Sequence, residues 1–243
     1  RLLIVDSNHN RLIITSWPTA TDHVEVQTII GSGKTGKEDG SFADASFNRP
    51  QGATFSPNGK VLYIADTENH LIRRADLEKK TVVTILGDGE QTFDPEAGKS
   101  GKDQGLNSPW DVAVAGNRLY IAQAGQHQLF AMNLMSGMTE VAAGTGRENI
   151  LDGPALRANL AQPSGLALDA AHQILYFADS ETSSIRELNL KTNVVSTIIG
   201  HGLFDYGNVD GDRDTARFQH CLGVTLAPDG KTLYVADTYN HEI

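Results

Sequence analysis

Aspartate and histidine recur at regular places in this sequence, and both residue types can bind a metal ion or transfer a proton. The two sets are Asp6, Asp66, Asp179 and Asp237, and His70, His127 and His241. The histidines fall about one to a repeat, which is too far apart for one ion with bonds of about 2.1 Å. Aspartate before Thr or Ser at a strand end caps a turn by accepting backbone N–H bonds. We therefore predict turn caps for the aspartates, and packing and hydrogen bonding within the turn for the histidines.

These positions are set by a repeat of nearly sixty residues. An apolar segment closed by a polar residue occurs at Leu2–Asp6, Leu62–Asp66, Leu119–Gln123, Leu175–Asp179 and Leu233–Asp237. Each full repeat contains four short strand-like runs separated by turn residues, and its second run is apolar on both faces, as in a strand packed on both sides. Four antiparallel strands in a repeat of this length are typical of a β-propeller blade.

The sequence thus predicts an all-β protein, a β-propeller of four-stranded antiparallel blades. We expect one domain over residues 1–243, incomplete at both ends. Its blade pieces lie at about 1–31, 50–87, 109–144, 163–200 and 221–243. Long loops, here called links, join the fourth strand of one blade to the first strand of the next.

Charge and composition weigh against several classes of protein. The net charge is −10, which disfavours general binding to nucleic acid or to an anionic membrane, and we expect the pair Arg73 and Arg74 to be solvated. No apolar stretch approaches the roughly 18 residues of a membrane span. The one cysteine, Cys221, rules out an internal disulfide and leaves the compartment unassigned.

The strand directions predict which face of the disc binds other molecules. Strands alternate in direction, so the links share a face with the turns between second and third strands. Long loops in compact folds are often functional. The first strand is innermost, and the residues before and within its start are the candidate rim of the central channel. They are Arg49, Ser108, Trp110, Asp111, Gln162 and His220. Because their types vary on a repeated scaffold, we interpret them as a binding site.

Several segments resemble the NHL repeat. The clearest are Pro50-Gln51-Gly52, Tyr63 to Arg73, and Tyr234 to His241, with the pattern Tyr-x-Ala-Asp-Thr-x-Asn-His. Blade-specific segments such as Ser108-Pro109-Trp110-Asp111-Val112 and Ala178-Asp179-Ser180-Glu181 are similar to those of the NHL repeat-containing protein 2 family. That resemblance implies a six-bladed propeller, of which this chain covers about four and a half blades, associated with a thioredoxin-like domain. Cys221 departs from the pattern, since the other blades have proline there.

Two kinds of function remain open. The first is a non-catalytic interaction scaffold without a cofactor or metal, which binds a protein partner or the thioredoxin-like domain of a longer chain. The alternative is a metal-dependent propeller enzyme, lyase-like or hydrolase-like, with its site in the central channel. That alternative needs several histidines facing the axis, and His220 is the one placed there.

Overall fold

The computed structural model describes residues 1–19, 24–94 and 96–243. Over these residues the regular structure consists of antiparallel strands and short 3-10 turns. None of the described helices is long and apolar enough to cross a membrane.

The strands form five sheets, numbered here as blades one to five. Blade one contains β1 (Leu2–Asp6), β2 (Arg11–Thr15) and β3 (Val26–Ile30). Blade two contains β4 (Gly40–Ser41), β5 (Ala53–Phe55), β6 (Val61–Asp66), β7 (Leu71–Asp76) and β8 (Thr81–Leu86). Blade three contains β9 (Pro109–Ala115), β10 (Arg118–Gln123), β11 (Gln128–Asn133) and β12 (Thr139–Ala143). Blade four contains β13 (Gly153–Pro154), β14 (Pro163–Asp169), β15 (Ile174–Asp179), β16 (Ser184–Asn189) and β17 (Val194–Ile199). Blade five contains β18 (Gly223–Leu226) and β19 (Leu233–Ala236).

Within each blade the strands follow one another as a meander. The short strands β4 and β13 belong to the links and pair with the outermost strands β8 and β17. Five 3-10 turns follow the strands β1, β6, β10, β15 and β19, which are the second strands of their sequence repeats. They are Ser7–His9, Thr67–Asn69, Ala124–Gln126, Ser180–Thr182 and Thr238–Asn240. The β-propeller predicted from the repeat is confirmed.

Strand β6 of blade two, the second strand of its sequence repeat, shows how the blades pack. Leu62 and Ile64 lie in a core shared with Leu12 of blade one. Tyr63 and Ala65 project from the opposite side of β6, into a core shared with blade three. A strand with two buried faces explains why its sequence lacks the alternation of apolar and polar residues that marks a half-exposed strand. The predicted packing of this strand between two neighbours is confirmed.

Candidate functional site

Each junction between consecutive blades is closed by one repeated hydrogen bond. The residue that directly follows each of the first four 3-10 turns accepts, through its side chain, a bond from a backbone N–H at the start of the next blade. The four pairs are Asn10 Oδ1 with Arg49 N at 2.9 Å, His70 Nδ1 with Ser108 N at 3.0 Å, His127 Nδ1 with Gln162 N at 3.2 Å, and Ser183 Oγ with His220 N at 3.1 Å. We call this contact the latch, and its four donors the rim residues.

The rim residues share an unusual backbone conformation. Arg49, Ser108, Gln162 and His220 have φ angles of 48°, 47°, 60° and 49°. A left-handed conformation is uncommon outside glycine and persists where surrounding structure holds it. Here the latch holds it on one side. The turns add further bonds to the adjoining link ends, such as Ala124 N to Ser108 O at 3.3 Å. The links and these turns therefore share one face of the disc, called the link face below.

The histidine prediction was partly right. His70 and His127 form hydrogen bonds, but to the next blade rather than within their own turns. An Nδ1 that accepts a backbone N–H must be unprotonated. Burial lowers the pKa of His70, against the opposing effect of nearby carboxylates, and so favours the neutral ring. In the part of the chain that the structure describes, no group of three or more His, Cys, Asp or Glu side chains could hold a metal ion.

The six residues that the sequence predicted around the central channel are the four rim residues together with Trp110 and Asp111. Their side chains are spread around the disc rather than gathered at one point. Arg49 is exposed. The His220 ring stacks on Tyr239, with centroids 4.5 Å apart, and its Nε2 lies 3.3 Å from Glu181 Oε1. Trp110 packs against the core shared by blades three and four. Across the described residues, no hydrogen bond joins two of the six.

Asp111 is the candidate that lines the central channel, a cavity of about 310 Å³ between the innermost strands. It stands where the other blades have Gly52, Gly165 and Gly223. Oδ1 of Asp111 accepts a bond from Val112 N at 2.8 Å, and Oδ2 accepts one from Leu166 N of blade four at 2.9 Å. On its other side, a Cβ added to Gly52 would lie 2.6 Å from the Asp111 Cα. The Asp111 side chain therefore bonds to blades three and four and lies against Gly52 of blade two at the channel wall.

Enclosure by three blades changes the acidity of Asp111. Burial raises the pKa of its carboxyl to about 7, although both backbone N–H bonds favour the charged form. Between about pH 4 and pH 7 the folded chain therefore binds a proton that the unfolded chain does not. The stability that this proton contributes is fully present below about pH 4 and is lost as the pH rises through 7.

We predict that Asp111→Asn removes this pH dependence. Between pH 5 and pH 8, the stability of the unmodified chain relative to the variant should fall by about 1–2 kcal/mol, after allowance for partial exposure of the side chain. Urea unfolding at each pH measures the difference. Equal pH profiles for the two chains would contradict the assignment.

The repeated aspartates do not cap their own turns, contrary to the expectation from sequence. None of the turns that follow them has a side-chain cap from the closing aspartate. Asp6 binds the side chains of His9 and Arg11. In the other three, Oδ1 accepts a bond from the backbone of the incoming link. The pairs are Asp66 with Asn48 N at 2.8 Å, Asp179 with Ala161 N at 2.8 Å, and Asp237 with Gln219 N at 2.7 Å. These aspartates thus fasten each link to its blade, which is a structural role.

The other oxygen of two aspartates binds a buried arginine. Arg73 Nη1 lies 2.8 Å from Asp66 Oδ2, and Arg186 Nη1 lies 2.7 Å from Asp179 Oδ2. Both guanidinium groups are fully buried, so the expectation that Arg73 is solvated was wrong. The terminal nitrogens of each group donate to link carbonyls and carboxylates, which compensate its charge inside the fold.

The fold and these contacts define an NHL-repeat β-propeller. The NHL repeat model matches residues 47–74, which include Asp66 and Arg73. Over its whole length the chain is 40% identical to NHL repeat-containing protein 2 of Gallus gallus, and 42% identical to Protein SUPPRESSOR OF QUENCHING 1, chloroplastic, of Arabidopsis thaliana. The chain spans 36% of the first protein and 23% of the second. The resemblance stated from the sequence is confirmed.

Solved structures agree on the fold. A structural genomics protein of unknown function from Bacteroides thetaiotaomicron superposes with a TM-score of 0.66 at 17% identity, covering 96% of this chain and 55% of that one. A chain from a nidogen/laminin complex superposes with a TM-score of 0.59 at 17% identity, covering 96% of this chain and 83% of that one. At this identity the likeness concerns the fold alone.

Proposed function

We propose that the chain is a non-catalytic interaction scaffold that presents its link face to a protein partner. The observation that carries this proposal is the latch, since it fixes the backbone of four rim residues while their side chains differ in chemistry. A binding surface with a fixed backbone loses less conformational entropy when it binds. Arg49, Ser108, Gln162 and His220 can therefore set specificity on one rigid frame.

Exposed aromatic residues on the link face also support its role as the binding surface. Phe93, Phe204 and Tyr206 lie on links and are 77%, 90% and 58% exposed, and Tyr239 lies on a 3-10 turn and is 57% exposed. Aromatic side chains are enriched at protein interfaces and often carry much of the binding energy. Together with exposed Arg49, they give the link face the composition of a protein-binding surface.

The resemblance suggests a thioredoxin-like domain as the partner. The chain spans about a third or less of the relatives it matches, so those proteins have ample length for further domains. In this proposal the propeller positions such a domain, and any redox reaction belongs to that domain rather than to the buried Cys221. Burial raises the pKa of the Cys221 thiol, which disfavours the reactive thiolate.

Calorimetric titration of the chain with the thioredoxin-like domain of an NHL repeat-containing protein 2 relative tests this proposal. We expect saturable binding that Arg49→Ala weakens by about tenfold. Lys231→Ala is the matched control, because Lys231 is an exposed cation in the β18–β19 turn on the opposite face. Absence of binding would reject this partner, and equal effects of the two variants would reject the link face.

A further inference from the structure

The four latches are of two chemical kinds. Between blades one and two and between blades four and five, the acceptor is an oxygen of Asn10 or of Ser183, neither of which titrates near neutral pH. On the two sides of blade three, the acceptor is Nδ1 of His70 or of His127. An unperturbed imidazole gains a proton at about pH 6.5. Blade three is therefore fastened at both junctions by an acceptor that a proton removes, and we call these two contacts the histidine latches.

Protonation and the latch exclude each other at the same nitrogen. The neutral ring accepts at Nδ1 and carries its hydrogen on Nε2, whereas an imidazolium carries a hydrogen on both nitrogens. Nδ1 lies 3.0 Å from Ser108 N in His70 and 3.2 Å from Gln162 N in His127. A proton on Nδ1 would face the N–H group that the ring now accepts. The ring must then turn away or the junction must open, and the bond is lost in either case.

The charged groups around His70 come from three elements. Glu68 lies on the 3-10 turn before it, and Asp88 and Glu90 lie on the link that follows β8. Lys37 of the preceding link lies 3.5 Å from Glu90 Oε1 and offsets part of the negative charge. The carboxylates favour the charged ring, but burial outweighs them and lowers the pKa of His70. The closed junction therefore keeps this ring neutral in a pH range where a solvated histidine is already charged.

His127 has different charged neighbours. The 3-10 turn before it, Ala124–Gln126, contains no charged residue. The link that follows β12 has Thr145 and Arg147 at the places where the link after β8 has two carboxylates. From blade four the ring faces Asp179, whose carboxylate is paired with a buried arginine. The two histidine latches thus share the proton-sensitive bond and differ in the charges around it.

We propose that the two histidine latches release the junctions of blade three below about pH 6, while the asparagine and serine latches keep the neighbouring junctions closed. Ser108 and Gln162 then lose the bond that holds their left-handed backbone. Arg49 and His220 keep theirs. As regulation of partner binding at the link face, this inference rests on the proposed function. As a change in the rim itself, it stands on the latch geometry.

The direction of the effect follows from proton linkage. In an opened junction the ring is in water, with an ordinary pKa near 6.5, whereas burial lowers the pKa of His70 in the closed junction. The stability that the latch contributes is fully present above about pH 6.5 and is lost as the pH falls through the lower pKa of the closed state. From pH 7.5 to pH 5.5, the equilibrium constant for opening should rise by about tenfold while the closed ring stays neutral.

Asp111 titrates at the same junctions with the opposite sign. Its carboxyl lies at the channel wall between blades three and four, and the proton that it binds stabilises the fold as the pH falls. The histidine effect is therefore measured at the latch amides themselves, and in variants that leave Asp111 unchanged.

Amide hydrogen exchange followed by NMR, on the whole chain without a partner, tests the release. After correction for intrinsic rates, Ser108 N and Gln162 N should exchange about tenfold faster at pH 5.5 than at pH 7.5. Arg49 N and His220 N donate to oxygen acceptors and should change by less than about twofold. All four amides belong to one molecule, so a general loosening in acid would raise all four rates and overturn the proposal.

His70→Asn combined with His127→Asn is the matched variant. Asn10 shows that asparagine accepts the latch bond at 2.9 Å in this turn, and its φ of 51° is close to the 52° and 53° of the two histidines. The variant should keep the amides protected at both pH values and lose the tenfold rise. Equal rates at the two pH values in the unmodified chain would overturn the proposal, as would a rise that persists in the variant.

The ring nitrogens give a second measurement that needs no variant. In the unmodified chain, the ¹⁵N shifts of His70 and His127 should show an unprotonated Nδ1 at pH 7.5. Faster exchange at Ser108 and Gln162 must follow the same pH course as protonation of the two rings. Rings that stay neutral while exchange rises would show that another group opens the junctions, and would reject the histidine latches as the cause.

Calorimetric titration with the thioredoxin-like domain at both pH values then measures the regulation. We expect binding to weaken by at least about threefold at pH 5.5, because the rim must be ordered again on binding, and the double asparagine variant should not show this loss. Equal binding at the two pH values would reject regulation of the link face. Failure to bind at either pH would reject this partner, and the exchange rates alone would then decide whether the rim is released.

Discussion

Replacing Arg186 with methionine is expected to lower the free energy of unfolding by about 3–5 kcal/mol. The substitution keeps a long apolar stem but removes the guanidinium that donates to Asp179 Oδ2 at 2.7 Å. Asp179 would then remain in the core without its cation, and two link carbonyls would lose a donor. Leaving one member of a buried pair unpaired is among the costliest single changes in a protein.

Urea unfolding measures the effect, with Arg157→Met as the control. Arg157 is exposed on the short 3-10 turn Ala155–Arg157, and we expect its loss to change the free energy of unfolding by no more than about 0.5 kcal/mol. Asp179→Leu combined with Arg186→Met should recover part of the loss, because no unpaired charge is left. A cost for Arg186→Met as small as that of Arg157→Met would show that the buried pair is not structural.

The second large effect is expected at Gly144, which opens the link between blades three and four. Its φ of +97° is strained for any residue with a side chain, and an added Cβ would lie 2.6 Å from His127 O and 3.0 Å from Gln128 Cα. Both contacts are with backbone, which cannot rotate away. Gly144→Ala should therefore lower the free energy of unfolding by about 2–4 kcal/mol.

Gly116→Ala is the matched control for this substitution. Gly116 also has a positive φ, of +59°, but a Cβ there would have nothing within 4 Å. We expect it to cost about 1 kcal/mol, from the backbone conformation alone. Similar costs at the two positions would show that the close approach of Gly144 to the His127 carbonyl adds nothing to the effect.

The sequence contains the repeat, the strands and the doubly buried second strand in readable form, because apolar runs and turn residues are local signals. The burial of Arg73 and Arg186 cannot be predicted from the sequence, because a charged residue in a strand normally faces water. The one sequence feature that marks them is their constant spacing from the aspartates. That spacing indicates a buried ion pair only once the link is known to fold back over the blade. The left-handed rim backbone has no local signal at all, since Arg, Ser, Gln and His share no preference for it.

Asp111 illustrates a different limit. The comparison of Gly52, Gly165 and Gly223 with Asp111 is available from the printed sequence. The consequence requires coordinates, because it depends on how close the neighbouring innermost strands come. Gly52 and Gly165 permit that approach, whereas the Asp111 carboxylate accepts hydrogen bonds from backbone N–H groups of its own strand and of blade four.

The latch also bears on how the molecule is assembled during translation. Its four bonds join residues 39, 38, 35 and 37 positions apart, so every junction is made by segments less than one repeat away from each other. A nascent chain can dock each new blade as soon as its first strand leaves the ribosome, without waiting for distant parts of the polypeptide. The propeller would then fold in the order of synthesis, one blade at a time.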